Sequence, residues 1–233
     1  VFANSYIIEE IDFTGNPNLI DLFIQNNKLK SLHLSNNNNL NRIDCSDNEI
    51  SDLKLHNLPN LKSLSCSNNF INELNVKDAN NLENLYCQKN NFSSIDVSQF
   101  NLLKNLNCDL NTSLNSLFIK TGGRFLNLNF QDCPSLNFIC CNEYETYDIK
   151  SKVNMYGLLN CVVNSYCSFT PGGKYYILNG EVKFDLDLNG CDDQDIKLPY
   201  FKYHITDGSN SGSIISNSTG NYSIPVQEGT HTI

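Results

Sequence analysis

The stretch Leu61-Lys62-Ser63-Leu64-Ser65-Cys66-Ser67-Asn68-Asn69-Phe70-Ile71-Asn72-Glu73-Leu74-Asn75-Val76 decides how this chain folds. Leu64 and Cys66 alternate with Ser63, Ser65 and Ser67, the side-chain period of a half-buried strand. Leu74 and Val76 repeat that alternation further on. Outward from this stretch, the same positions recur every 21 residues. Cys45, Cys66, Cys87 and Cys108 keep the interval, as do Asn27, Asn48, Asn69, Asn90 and Asn111. Leu22, Ile43, Leu64, Leu85 and Leu106 form a third column, and Leu34, Leu55, Val76 and Val97 a fourth. Several residue classes locked to one spacing are the signature of a solenoid.

Each turn then offers two short strand-like segments, one per side of a flattened coil, and neighbouring turns stack at ~4.8 Å. Six turns make a slab roughly 30 Å long. After Cys108 the spacing relaxes to steps of 11, which puts Ile119, Phe130 and Cys141 in one inward rank and ends the last turn near Asn142. One turn alone cannot offset the entropy of ordering its own residues, so stability must come from stacking and both ends need caps. The expected division is a cap at 1–18, a solenoid at 19–142, a capping or linker segment at 143–176 and a second domain at 177–233.

The Asn and Cys columns read as structural ladders. An inward Asn at the bend after each strand can bond backbone groups that no strand partner reaches. The Cys column suits a small apolar side chain packed between leucines. A metal ladder would need His or further Cys converging at tetrahedral spacing, and His33, His56, His204 and His231 pair with none of these thiols in sequence.

Composition bounds the function. The 233 residues carry a formal charge of −9 and a pI near 4.8, with 40% hydrophobic and 18% charged residues. That is one or two globular domains, neither a disordered polymer nor a coiled coil. A nucleic-acid binder would need a basic stripe to neutralise phosphates, and none is present. No apolar run approaches the roughly 18–20 residues that span a bilayer. Val1-Phe2-Ala3-Asn4 has neither an initiator Met nor a leader pattern and reads as a trimmed or mature end. Asn, at 39 residues, and Cys, at ten, are the excesses to explain.

The motif Leu-x-x-Leu-x-Cys-x-x-Asn-x-Ile/Phe-x-x-Leu-x-Leu/Val over residues 19 to about 142 resembles the leucine-rich repeat. It is most similar to the bacterial nested subtype, in which the signal occurs twice per turn. The resemblance implies a solenoid with little helix whose outward strand positions bind a partner. On the Cys-bearing side those positions include Phe23, Asp44, Ser65, Tyr86, Asn107 and Asn129, with Arg42, Ser63, Asn84 and Asn105 beside them. On the other side they are His33, Lys54, Asn75, Asp96 and Phe118. Phe23, Arg42, Asp44, Tyr86 and Asn107 are the candidate ligand-binding surface, because Tyr with small polar residues is adaptable contact chemistry.

Residues 143–176 lose the repeat and gain aromatics. Cys133, Cys140, Cys161 and Cys167 are disulfide candidates there, and neither they nor Cys191 has a connectivity that sequence can assign. Pro171-Gly172-Gly173 reads as a turn, because the Gly172-Gly173-Lys174 triplet lacks the remainder of a phosphate loop. From Ile177 the pattern is period two: Val182, Phe184, Leu186, then Phe201, Tyr203, Ile205, then Tyr222, Ile224, Val226, with turn clusters between. Such punctuation predicts a β-sandwich, with the chain ending inside a strand and continuing in the natural protein.

Asp185-x-Asp187-x-Asn189-Gly190-x-Asp192-x-x-Asp195 sets oxygen ligands at alternate positions of a tight loop, which is what a hard cation such as Ca²⁺ requires. Ile196 stands where an EF-hand has Glu, and the flanks read as strands, so an EF-hand is not expected. The loop, with Gly220-Asn221-Tyr222-Ser223-Ile224, resembles the calcium-loop β-sandwich modules of bacterial surface proteins, which implies a structural calcium ion held by Asp185, Asp187, Asn189 and Asp195, with Asp192 or the carbonyl of Cys191 completing the shell. The order of parts is similar to secreted leucine-rich-repeat proteins of Bacteroidetes, especially flavobacteria. The expectation is a secreted or cell-surface module that binds a protein or glycan and does no chemistry itself. The alternative is an accessory part of a larger secreted enzyme whose catalytic residues lie outside the chain. No Gly-x-Ser-x-Gly, HExxH or nucleophile beside a His occurs in the sequence.

Overall fold

A computed structural model describes residues 6–13, 15–76, 78–169 and 174–233. The Pro171-Gly172-Gly173 turn and the first part of the 1–18 cap lie outside the described residues. The chain divides into two compact units, Val1–Leu136 and Asn137–Ile233.

The first unit is a β-solenoid with no helix among its described residues. Its strands are β1 (Asp21–Phe23), β2 (Ser31–Leu34), β3 (Arg42–Asp44), β4 (Asp52–Leu55), β5 (Ser63–Ser65), β6 (Asn84–Tyr86), β7 (Ser94–Asp96), β8 (Asn105–Asn107), β9 (Ser116–Phe118) and β10 (Asn127–Asn129). β1, β3, β5, β6, β8 and β10 form one six-stranded parallel sheet. On the opposite side β2 pairs with β4 and β7 with β9, also in parallel. Leu22, Ile43, Leu64, Leu85 and Leu106 stand in register and are buried between the two sides. Burying these stacked aliphatic rows drives the fold.

One extra residue breaks the beat. The inward rank Leu29, Ile50, Ile71 and Phe92 steps by 21 and then by 22 to Leu114, so the insertion falls between Asn111 and Leu114. Every later register carries it: Leu106 pairs with Leu128, and Ile95 with Leu117. The expectation that Ile119, Phe130 and Cys141 share one rank is therefore corrected. Phe130 follows β10 and continues the Cys column, whereas Ile119 follows β9 on the other side. Steps of 11 alternate between the two sides, and one full turn is 22.

The Asn excess has positional causes. Asn26, Asp47, Asn68, Lys89, Leu110 and Asp132 all have φ between 52° and 60°, at the same corner of successive turns. Asn36, Asn57 and Asp78 do the same at the opposite corner, with φ of 65°, 55° and 63°. Asn and Asp tolerate this left-handed conformation better than other side chains that carry a Cβ. Lys89 and Leu110 are the exceptions.

The second unit contains β11 (Phe138–Cys140), a 3₁₀ turn at Glu143–Glu145, α1 (Thr146–Met155), β12 (Val162–Asn164), β13 (Tyr176–Glu181), β14 (Lys183–Phe184), β15 (Ile196–Lys197), β16 (Lys202–Thr206), β17 (Ser211–Ile215) and β18 (Asn221–Val226). β11 and β12 are parallel; β13–β18, β14–β15 and β16–β17 are antiparallel ribbons of two strands. Among the described residues the strands from β13 onward pair as these ribbons, with one further antiparallel bridge between Thr206 and Thr232; this pairing does not show the two full sheets expected of a sandwich. Tyr166, Ile205, Ile214, Ile224 and Val226 make the core, with Tyr222 against it. Phe184 and Leu186, expected inward with Val182, are 50% and 68% exposed because β14 is too short to carry the alternation. Cys140 and Cys167 form a disulfide, whereas Cys141, Cys161 and Cys191 stand outside any disulfide among the described residues.

Candidate functional site

The outward face of the six-stranded sheet collects all five residues of the expected ligand-binding surface. Phe23, Asp44, Ser65, Tyr86, Asn107 and Asn129 occupy the third strand position on successive rungs, and Arg42 stands in the first-position column. Arg42 grips Asp21 one rung away through Nε and Nη2, at 2.8 and 2.9 Å, and lies 5.9 Å from the centre of the Phe23 ring. That hydrogen-bonded guanidinium holds the Asp21 carboxyl below its usual range. Further along the same column the Asn105 amide donates to Asn84 Oδ1 and the Asn127 amide to Asn105 Oδ1, both at 2.6 Å. Tyr86 remains open to solvent. The face is thus a polar, internally hydrogen-bonded surface on a rigid scaffold, punctuated by aromatic rings.

The opposite face differs. Asp52 accepts from Lys54 at 2.7 Å and pairs with His33 at 2.9 Å, both solvent-exposed contacts that lower its carboxyl pKa, Lys54 first. Phe118, expected outward, is only 4% exposed and belongs to the core.

Beneath the surface run the two ladders. Asn69 Nδ2 donates to Cys45 O of the preceding turn and to Cys66 O and Ser67 O of its own, all at 3.1 Å, while its Oδ1 accepts from Ile50 N at 2.9 Å. Asn48 and Asn90 repeat both halves of this pattern, and Asn111 repeats the donor half. Each amide thereby ties two turns and satisfies corner carbonyls that the sheets leave free. Cys45, Cys66, Cys87 and Cys108 stack fully buried. Burial pushes all four thiols up, Cys66 to about 12, so none is a thiolate nucleophile or ready ligand at neutral pH.

Sequence reading missed the last rung. Cys133 lies 22 residues after Asn111 and takes the Asn position, its thiol reaching Cys108 O at 3.4 Å and Gln131 O at 3.6 Å. The 22-residue step, once noticed between Phe92 and Leu114, would have placed it in the ladder rather than among the disulfide candidates.

In the second unit the acidic loop folds on itself. Asp185, Asp187 and Asp195 bring one carboxylate oxygen each to within 4.8 Å of one another, the only such group among the described residues. Gly190 N donates to Asp185 Oδ2 at 2.9 Å, with Gly190 at a φ of 97° that favours glycine. Asp185 Oδ1 is buried with no hydrogen-bond partner among the described residues. The other two expected ligands turn elsewhere. The Asn189 amide donates to Asp187 Oδ2 at 2.8 Å, and Asp192 Oδ1 accepts from Gln194 N at 2.7 Å. Lys183 Nζ closes the loop on Asp192 O at 2.7 Å.

Comparison with known proteins finds no matching family model and no matching curated protein. Among solved structures the chain is similar to one described as the functional domain of InlJ from Listeria monocytogenes, which includes a cysteine ladder. The two share 18% identity and a TM-score of 0.45, over 90% of this chain and 60% of that one. The match thus spans about three-fifths of that neighbour. Among the described residues no helix is long and apolar enough to cross a membrane.

Proposed function

We propose that the chain is a secreted or cell-surface bacterial interaction module of leucine-rich-repeat type. It binds a protein or glycan partner through the outward face of the six-stranded sheet and performs no catalysis. The observation that supports this is the uninterrupted series of six rungs presenting Phe23, Arg42, Asp44, Tyr86 and Asn107 on one face, held by hydrogen bonds within the columns. Parallel strands fix these groups at ~4.8 Å intervals, so a partner meets a preorganised surface and little ordering entropy is lost on binding. A protein and glycan array probed with the chain and with the double variant Arg42→Ala/Tyr86→Ala tests the reading. Retained binding of every captured ligand by the variant would overturn it.

The second unit is proposed as a calcium-stiffened stalk. Asp185, Asp187 and Asp195 would hold the ion, with Asn189 and Asp192 reaching it after modest rotation. The fit rests on hard oxygen donors and the unpartnered, buried Asp185 Oδ1. An ion bound only to the folded state stabilises it by about 2.7 kcal/mol at a hundredfold excess over Kd. Calorimetry in chelator and then in millimolar calcium should raise the melting of this unit, and Asp187→Asn should abolish the rise. Identical melting in both buffers counts against the site.

A further inference from the structure

A cleft of about 540 Å³ opens in the second unit between α1, β12, β17 and the β13–β18 ribbon. Lys150, Asn160, Asn164, Asn179, Asn221 and Tyr222 supply its polar lining. Lys150 has no ion pair or hydrogen bond with any described residue, and its partial burial pulls the ammonium pKa below the ordinary lysine value. A half-desolvated cation without a counter-ion is costly, and a bound anion would relieve that cost. The side-chain amides of Asn160 and Asn179 likewise bond no described residue. Asn164 is only 3% exposed; its Oδ1 accepts from Tyr166 N at 3.0 Å while its Nδ2 has no hydrogen-bond partner among the described residues.

One wall is aromatic. The Tyr222 ring lies across Gly180, in the space a Cβ there would fill, and packs edge-on to Tyr203 with ring centres 5.5 Å apart. Gly180 therefore lets the ring lie flat along the ribbon beside the cleft. The lining unites one cation, several uncommitted amides and an aromatic plane in a volume within the range of small-molecule sites. A water-filled surface groove accounts for the amides, but not for a half-buried lysine that pairs with no carboxylate among the described residues of a chain of net charge −9. The lysine also excludes a metal cation as occupant.

We propose that this cleft binds a small, hydroxyl-rich carboxylate, the chemistry of an acidic sugar. Lys150 would meet the carboxylate, the Asn amides the hydroxyl groups as donors and acceptors at once, and Tyr222 the apolar ring face. The assignment is independent of any partner on the solenoid face.

Calorimetric titration of the full chain with D-glucuronate, D-galacturonate and N-acetylneuraminate tests it, with D-glucose and acetate as comparison arms. Saturable binding of at least one acidic sugar is expected, with glucose and acetate each at least about tenfold weaker. Lys150→Met should weaken that binding at least about tenfold, and Lys150→Arg should stay within a few-fold of the parent. Asn179→Asp, at an exposed position that leaves the fold intact, should abolish binding by placing a carboxylate in the cleft. No saturable binding of any of the three acids overturns the proposal, as does equal binding by the parent and Lys150→Met.

Discussion

The two units answer the same physical problem, satisfying buried polar backbone, in opposite ways. In Val1–Leu136 one solution is repeated: an inward Asn per turn bonds the corner carbonyls of two turns, and a left-handed residue precedes it. In Asn137–Ile233 each solution occurs once. Ser165 Oγ accepts from Ser213 N at 2.8 Å, Gly212 approaches the Ser165–Tyr166 peptide so closely that a Cβ would lie 2.5 Å from it, and Tyr166 Oη lies 2.7 Å from His231 Nδ1. Repetition makes a fold legible and spreads its stability over many equal interfaces. Unique contacts make a unit depend on a few.

The sharpest way to break this contrast is to remove one rung. Asn69→Ala deletes four hydrogen bonds, three of them buried and two of them reaching the preceding turn, and a loss of about 3–5 kcal/mol is expected by denaturant titration. A loss under 1 kcal/mol would mean that the ladder does not hold the turns together. Next in size is Cys140→Ala, which opens the disulfide across a separation of 27 residues. Loop-closure entropy puts the loss at about 3.5 kcal/mol, confined to the melting of the second unit. An equal drop in both units would show that they do not unfold separately.

The thiol column sets a pH signature of the first unit. Because burial raises the folded-state pKa of Cys66 from 9.0 to about 12, its protonated form is favoured in the folded chain. Its contribution is complete below pH 9 and lost as pH climbs through about 12. Melting temperature should fall across that window, and Cys66→Val should flatten the fall while changing neutral-pH stability by less than about 1.5 kcal/mol. The smallest effect expected is a gain. Leu110 sits at φ 60° and is 45% exposed, so Leu110→Asn should stabilise by about 0.5–1 kcal/mol.

Legibility followed repetition residue by residue. The columns of Leu64, Cys66 and Asn69 announced two strands per turn and the buried ladders, because stacking forces equivalent residues into equivalent environments. The single insertion after Asn111 defeated the same reasoning. An 11-residue step looks like continuity in sequence but crosses to the opposite sheet in space, so sequence alone puts Ile119 and Phe130 in one rank and leaves Cys133 outside the ladder. Strand alternation places Phe118 outward, yet it is buried, because alternation says nothing about what packs over a strand. In the second unit, period two found the strands but could not say which ribbons they would form, since pairing there depends on contacts distant in sequence.

The amino-acid order alone determined the coil, its 21-residue period and the inward file of thiols and amides, since each is enforced by a local pattern repeated with its neighbours. Tertiary structure alone decided the rest: Cys140 with Cys167, Asp185 with Asp187 and Asp195, and, among the described residues, Lys150 without an ion pair beside the side-chain amides of Asn160 and Asn179. Those groupings depend on how non-repeating segments pack, where each contact is made once and no neighbouring copy reveals it.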